Sequence, residues 1–335
     1  MSDPCLFHAT LFSASASIDM LKGQQNSTQT LYHQTWAIRL INERLAQPQR
    51  ALTYGTLGAV VPLLYYNMVA LDRDSAAVHQ KGLVKMLLAT PQSFRADIRP
   101  LVAIVKVAML SFACIYDVLP IWDCLFSVSV RPNFLLRNLV SRTIWGNAER
   151  LFQKETADAI LDVYEAISRL DHLLDGERCS VSAEVERAIS FTTTVTGTGR
   201  GEDGPHLTSL ERLNICCRIS SRIFWAMLRL RTHTQQIPGT TENHEEVRRL
   251  LEHLSQIEPL YWIRNAPEVF TWVVFTGAAA SAHQDACAAF ISQAGTILTA
   301  IDDENLTLLR QGWRYFQLLK RLGRDDQPLA VLGDS

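Results

Sequence analysis

Apolar residues in this chain recur at intervals of three, four and seven along nearly its whole length, and no run alternates apolar with polar residues at period two. The first pattern lines side chains along one side of an α-helix, and the second is what a half-buried strand requires, so the sequence is confined to an all-α fold. From Ser27 to Gln47, the residues Leu31, Ile38, Ile41 and Leu45 share one helix face, and Pro48 supplies the stop. Thr53 to Leu71 is apolar on most sides and contains Pro62, which predicts a central helix kinked or broken there and ended by Asp72 to Asp74. A third helix is predicted over Ser75 to Thr90, with Val78, Leu83, Met86 and Leu87 facing inward and Pro91 closing it.

The same period returns further on. Ile160, Val163, Ile167, Leu170 and Leu174 make one stripe, with Gly176 placed to cap it. Leu210, Leu213, Cys217, Phe224 and Leu228 make another, and Leu306, Leu309, Trp313 and Phe316 a third. With 335 residues and 47% hydrophobic against 20% charged, the chain can close a substantial core. The expectation is one large, irregular multi-helix domain over residues 1–335 with no sheet. The conspicuous break is Thr196 to His206, whose four glycines and one proline cannot hold a regular element. This segment, 196–206, is a flexible connector and the candidate internal boundary. Gln235 to Asn243, with Pro238 and Gly239, reads as an interhelical loop.

Composition excludes several partners. A formal net charge of -2 gives no global field toward nucleic acid or an anionic membrane. The basic stretches Arg218 to Arg231 and Arg310 to Arg324 carry apolar residues at helical spacing and read as wet faces of packed helices. Seven cysteines, at 5, 114, 124, 179, 216, 217 and 287, form no C-x-x-C pair, so they read as reduced core thiols rather than disulfides or zinc ligands. Met1 to Ser17 has no basic n-region and is not expected to be a secretory signal. Leu101 to Phe126 is strongly apolar, but Lys106, Asp117, Pro120 and Asp123 interrupt it, which predicts a buried core helix and no membrane span.

Three motifs invite chemistry, and each has a plainer account. The GTGRG at Gly197 to Gly201 lacks both the lysine and the preceding strand of a phosphate cradle. Asp171, His172 and Asp175 could form a base with an orienting acid, yet no serine or cysteine pairs with them by sequence, and an exposed polar face accounts for them. The remaining histidines, 8, 33, 79, 206, 233, 244, 253 and 283, show no metal-ligand spacing. The run Asp302, Asp303, Glu304 in an all-helical chain of this length resembles the aspartate-rich helices of terpene cyclases, which implies magnesium and a prenyl diphosphate. It lies near the C-terminus, however, and capping of a helix starting near Glu304 by Asp302 or Asp303 is the simpler reading.

A second resemblance covers most of the chain, roughly residues 6 to 322. Ala9 and Ser13 are followed by Leu31, Tyr32, His33, Ala37, Ile38, Ile41, Asn42 and Leu45, then by the apolar Gly58 to Leu71, then by His79, Gly82, Leu83 and Met86. Late in the chain come Tyr261, Pro267, Trp272, Gly277 and Ala278 to Ala280. This order resembles the fungal-specific regulatory domain found downstream of the zinc binuclear cluster in many fungal transcription factors. Read physically, Gly82 permits close helix approach, Pro267 suits the first turn of a helix, and Trp272 fills core volume. The resemblance implies a nuclear, all-helical regulatory region serving transcription through a small apolar ligand or through protein partners, namely a transcription factor, a coregulator or a second copy of itself. Only Cys5 precedes residue 114, so the six-cysteine zinc cluster of that family has no counterpart here. Direct DNA binding is therefore not expected. No catalytic, cofactor-binding or metal residue is assigned and no cofactor is expected; the alternatives are a magnesium-dependent prenyl diphosphate enzyme and a cytoplasmic location.

Overall fold

The computed structural model of the chain describes residues 3–24, 26–91, 98–118, 151–170, 207–232, 240–281, 284–298 and 303–322. Of these residues 86% are helical and none lies in a strand, so the fold is all-α. The described helices group into two compact units, the first within residues 1–128 and the second within residues 129–329.

Among the described residues, the first unit holds six helices: α1 (Pro4–Leu21), α2 (Thr28–Leu45), the short α3 (Pro48–Ala51), α4 (Tyr54–Val69), α5 (Arg73–Ala89) and α6 (Arg99–Tyr116). Four of them begin on a side chain that accepts hydrogen bonds from the otherwise unpaired N–H groups of the first turn. Asp3 caps α1, Ser27 caps α2, Thr53 caps α4 and Asp72 caps α5. Asp72 thus starts a helix rather than ending one, since α4 already stops at Val69 and the chain turns at Leu71 with φ +56°.

Helix α4 is central and packs against α1, α5 and α6. It runs through Pro62, which removes the N–H that would bond to the carbonyl of Gly58, and the helix survives because Leu57, Leu63, Leu64 and Met68 are buried around it. Helix α6 confirms a buried core helix at the start of the apolar stretch; it ends at Asp117 in the left-handed region with φ +53°, and residues 119–126 lie outside the described part.

Two details of the hydrophobic pattern are corrected. Val78 is 67% exposed, because the buried line of α5 runs Ala76, Gln80, Leu83 and Leu87, and Val78 lies some 200° around the helix from Ala76. Gly82 does not mediate close approach: a Cβ added there would meet nothing within 4 Å.

The second unit holds α7 (Lys154–Leu170), α8 (Ser209–Thr232), α9 (Thr240–Ser255), α10 (Pro259–Asn265), α11 (Pro267–Ala280), α12 (Gln284–Leu298) and α13 (Asp303–Leu322). Helices α7 and α8, which flank the connector at 196–206, pack on each other; the connector lies outside the described residues, as do Leu174 and Gly176. Helix α9 begins at Thr240, so the loop expected to reach Asn243 gives way to helix three residues earlier.

Every side chain of α11 from Glu268 to Ala279 is buried, and α8, α12 and α13 pack around it. Pro267 is its first residue and Trp272 is fully buried, as expected. Trp272 donates its indole N–H to the Tyr315 hydroxyl at 3.1 Å, and that hydroxyl shares a second hydrogen bond with Thr276 Oγ1 at 2.9 Å. Close approach belongs to other glycines: a Cβ at Gly277 would stand 2.4 Å from the Phe290 ring, and one at Gly312 would stand 2.2 Å from Phe275.

These contrasts separate two substitutions of one kind. Gly82→Ala is expected to stabilise the first unit by about 0.5–1 kcal/mol, the gain of removing a mid-helix glycine into open space. Gly277→Ala is expected to destabilise the second unit by about 1–3 kcal/mol through overpacking against Phe290. Urea unfolding followed by circular dichroism checks both; equal and opposite-to-expected shifts would contradict the packing described.

Candidate functional site

Helices α1 and α2 are joined by polar pairs as well as by buried apolar residues such as Ala37 and Ile41. Arg44, nearly buried on α2, donates two hydrogen bonds to Asp3, Nη1 to Oδ2 at 2.8 Å and Nη2 to Oδ1 at 2.7 Å. Buried Thr30 donates to Asp19 Oδ2 at 2.6 Å, and the backbone N–H of Ser27 reaches the same oxygen at 2.7 Å. Between these, His8 Nδ1 and His33 Nδ1 lie 3.0 Å apart. The inward residues of α2 are accordingly Thr30, His33, Ala37, Ile41 and Arg44.

The apolar stripe of α2 is therefore turned the other way. Ile41 is buried, at 6% exposure, but Leu31, Ile38 and Leu45 remain 48%, 40% and 45% exposed. These three are spaced by seven residues, so they form a line along the helix, about 40° from the buried edge at its nearest. Sequence periodicity places them on one face and does not decide whether that face points inward. Polar groups with partners waiting on α1 take the inner side.

Beside the line lies an aromatic cluster. His8 stacks on Trp36 with ring centres 5.7 Å apart, and Phe7 and Tyr32, both exposed, meet the His8 ring edge-on at 5.6 and 6.1 Å. The Arg39 guanidinium lies 5.1 Å from the Trp36 ring centre and donates to Glu43 at 2.9 Å. Burial lowers the His8 pKa from its ordinary value, and the nearby charge of His33 lowers it further. The Nδ1 to Nδ1 hydrogen bond needs one ring as donor and the other as acceptor, so it cannot persist with both rings protonated.

The chemical motifs read from the sequence are mostly out of reach. Residues 171–175 and the GTGRG at 197–201 lie outside the described residues, as does Asp302. Asp303 is the first residue of α13, one position earlier than the expected helix start. Cys5, Cys114, Cys216, Cys217 and Cys287 are buried, and burial pushes the Cys216 and Cys217 thiols well above their usual range. Among the described residues, no three His, Cys, Asp or Glu side chains gather as a metal site, and no helix is long and apolar enough to cross a membrane. The His8 and His33 pair escaped the sequence reading because the two are 25 residues apart and meet only when α1 and α2 fold together.

No protein-family model, curated protein or solved structure matches this chain.

The Asp3 and Arg44 pair sets the stability of this surface. Burial raises the Asp3 pKa, but the hydrogen bonds from Arg44 and from the Leu6 and Cys5 amides outweigh it, so the carboxyl is held below the ordinary value. A depressed carboxyl contributes stability above its unfolded pKa and loses it as pH falls through the folded value, so this contribution fades below about pH 4. Asp3→Asn is expected to destabilise the chain at pH 7 by about 2 kcal/mol, less than for a fully buried pair because Asp3 is partly exposed, and to flatten the acid limb of its stability curve. Urea midpoints from pH 2 to 7 check this; parallel wild-type and variant curves would contradict it.

Proposed function

We propose that this chain is a transcription-associated regulatory domain that works in the nucleus by binding protein partners. The observation that carries the reading is the exposed line Leu31, Ile38 and Leu45 on α2. A row of large apolar side chains held outward by a polar inner face is suited to receiving an amphipathic helix, whose anchors recur at the same spacing. The same helix contains many of the residues that carry the resemblance to the fungal regulatory domain, and α1, α4 and α5 contain most of the rest of its N-terminal part. A transcription factor or coregulator is the partner that this resemblance implies.

The test is affinity purification of the full chain from its source cell, beside a variant carrying Leu31→Gln, Ile38→Gln and Leu45→Gln. All three positions are solvent-exposed, so the variant is expected to keep its helical circular dichroism. Recovery of a zinc-cluster factor or of coregulators by the wild type, with at least about a tenfold loss in the variant, supports the reading, since three half-exposed aliphatic side chains represent a few kcal/mol of binding. A purely metabolic set of partners, or undiminished capture by the variant, overturns it.

A further inference from the structure

We propose that His8 and His33 form a two-histidine site for a divalent first-row transition-metal cation, with copper(II) the best fit. The argument is one of spacing. Imidazole nitrogens bind such metals at about 2.0–2.1 Å, so two nitrogens on one ion are separated by about 2.9 Å when they subtend a right angle and by about 3.4 Å at the tetrahedral angle. The two Nδ1 atoms stand 3.0 Å apart. That separation matches neighbouring positions of a square-planar or tetragonal ion, the geometry copper(II) and nickel(II) favour, and falls short of what tetrahedral zinc requires.

The two nitrogens already face each other within hydrogen-bonding distance. Replacing the hydrogen bond with a metal requires the rings to turn about χ2, a broad torsion in histidine that costs little over some tens of degrees. His33 is nearly buried and fixed between α1 and α2, while His8 is partly open to solvent, so an ion has both an anchored ligand and a way in. Trp36, stacked on His8, limits the sideways freedom of that ring. The nearby cation, Arg39, is held over Trp36 and paired with Glu43 rather than directed at the histidines. The remaining positions on the ion fall to water, because no third His, Cys, Asp or Glu joins the pair among the described residues. This inference stands apart from the transcriptional reading and neither requires it nor is required by it.

The experiment is a titration of the full chain with copper(II) alone at pH 7.4, followed by calorimetry and by electron paramagnetic resonance. Wild-type protein is expected to bind one more equivalent than the His8→Gln, His33→Gln double variant, with nitrogen hyperfine structure from two imidazoles. Each single variant should lose at least about tenfold in affinity, and the site should empty at pH 5, where protons compete for the ring nitrogens. Copper at this site should also quench Trp36, so Trp36→Phe keeps the extra equivalent but loses that part of the quenching. Equal stoichiometry in wild type and double variant overturns the proposal. So does a wild-type spectrum without the two-imidazole signature, a result that does not depend on how any variant folds.

Discussion

The first unit depends on the way α1 and α2 satisfy each other's polar groups. Asp3 with Arg44, His8 with His33, and Asp19 with Thr30 are spread along the two helices, and the order of the partners on one is the reverse of the order on the other. Each of these groups would be a liability in an apolar interface if its partner were displaced, since an unpaired buried polar group costs about 1–3 kcal/mol and a charged one more. The pairs therefore fix both the register and the rotation of α2. Asp3 also caps α1, so a single carboxylate starts one helix and anchors the next.

The second unit is assembled on the opposite plan. Helix α11 buries nearly all its residues, and Trp272, Thr271 and Thr276 are satisfied locally, through Tyr315 and through hydroxyls returning to their own helix. Burial drives the Tyr315 phenol far above its ordinary pKa despite the hydrogen bonds from Thr276 and Trp272, so it stays neutral at any physiological pH. Gly277 and Gly312 let the Phe290 and Phe275 rings lie against helix backbone, and this close packing is what makes the core of α11 intolerant of added volume.

Helix content was legible in the sequence because it rests on a local rule. The 3.6-residue period acts within a few residues, and α4, α5, α7 and α8 follow it, whereas the Asp72 cap of α5 was read as the end of the helix before it. What failed was any judgement that needed a neighbour. Leu31, Ile38 and Leu45 could be placed on one face from spacing, but not inside or outside, because that depended on Asp3, His8 and Asp19 across the interface. Gly82 looked like a contact glycine and touches nothing, while Gly312, unremarked in the sequence, stands against Phe275. The histidine pair had no local signal at all. Asp302 and the 171–175 cluster remain where the sequence left them, outside the described residues.

The outward position of the α2 stripe follows from comparing two free energies. Rotating α2 to bury Leu31, Ile38 and Leu45 would remove about half of each side chain from water, a gain of about 1 kcal/mol apiece and about 3 in total. The same rotation would pull Arg44 from Asp3, at about 3–5 kcal/mol for an abandoned buried charge, and would part Thr30 from Asp19 and His33 from His8 at about 1–3 kcal/mol each. The loss exceeds the gain, so the stripe stays in water while the chain is alone. An apolar line kept exposed by a stronger polar demand on the far side of the same helix keeps its favourable burial in reserve, and that free energy is released only when another surface covers it.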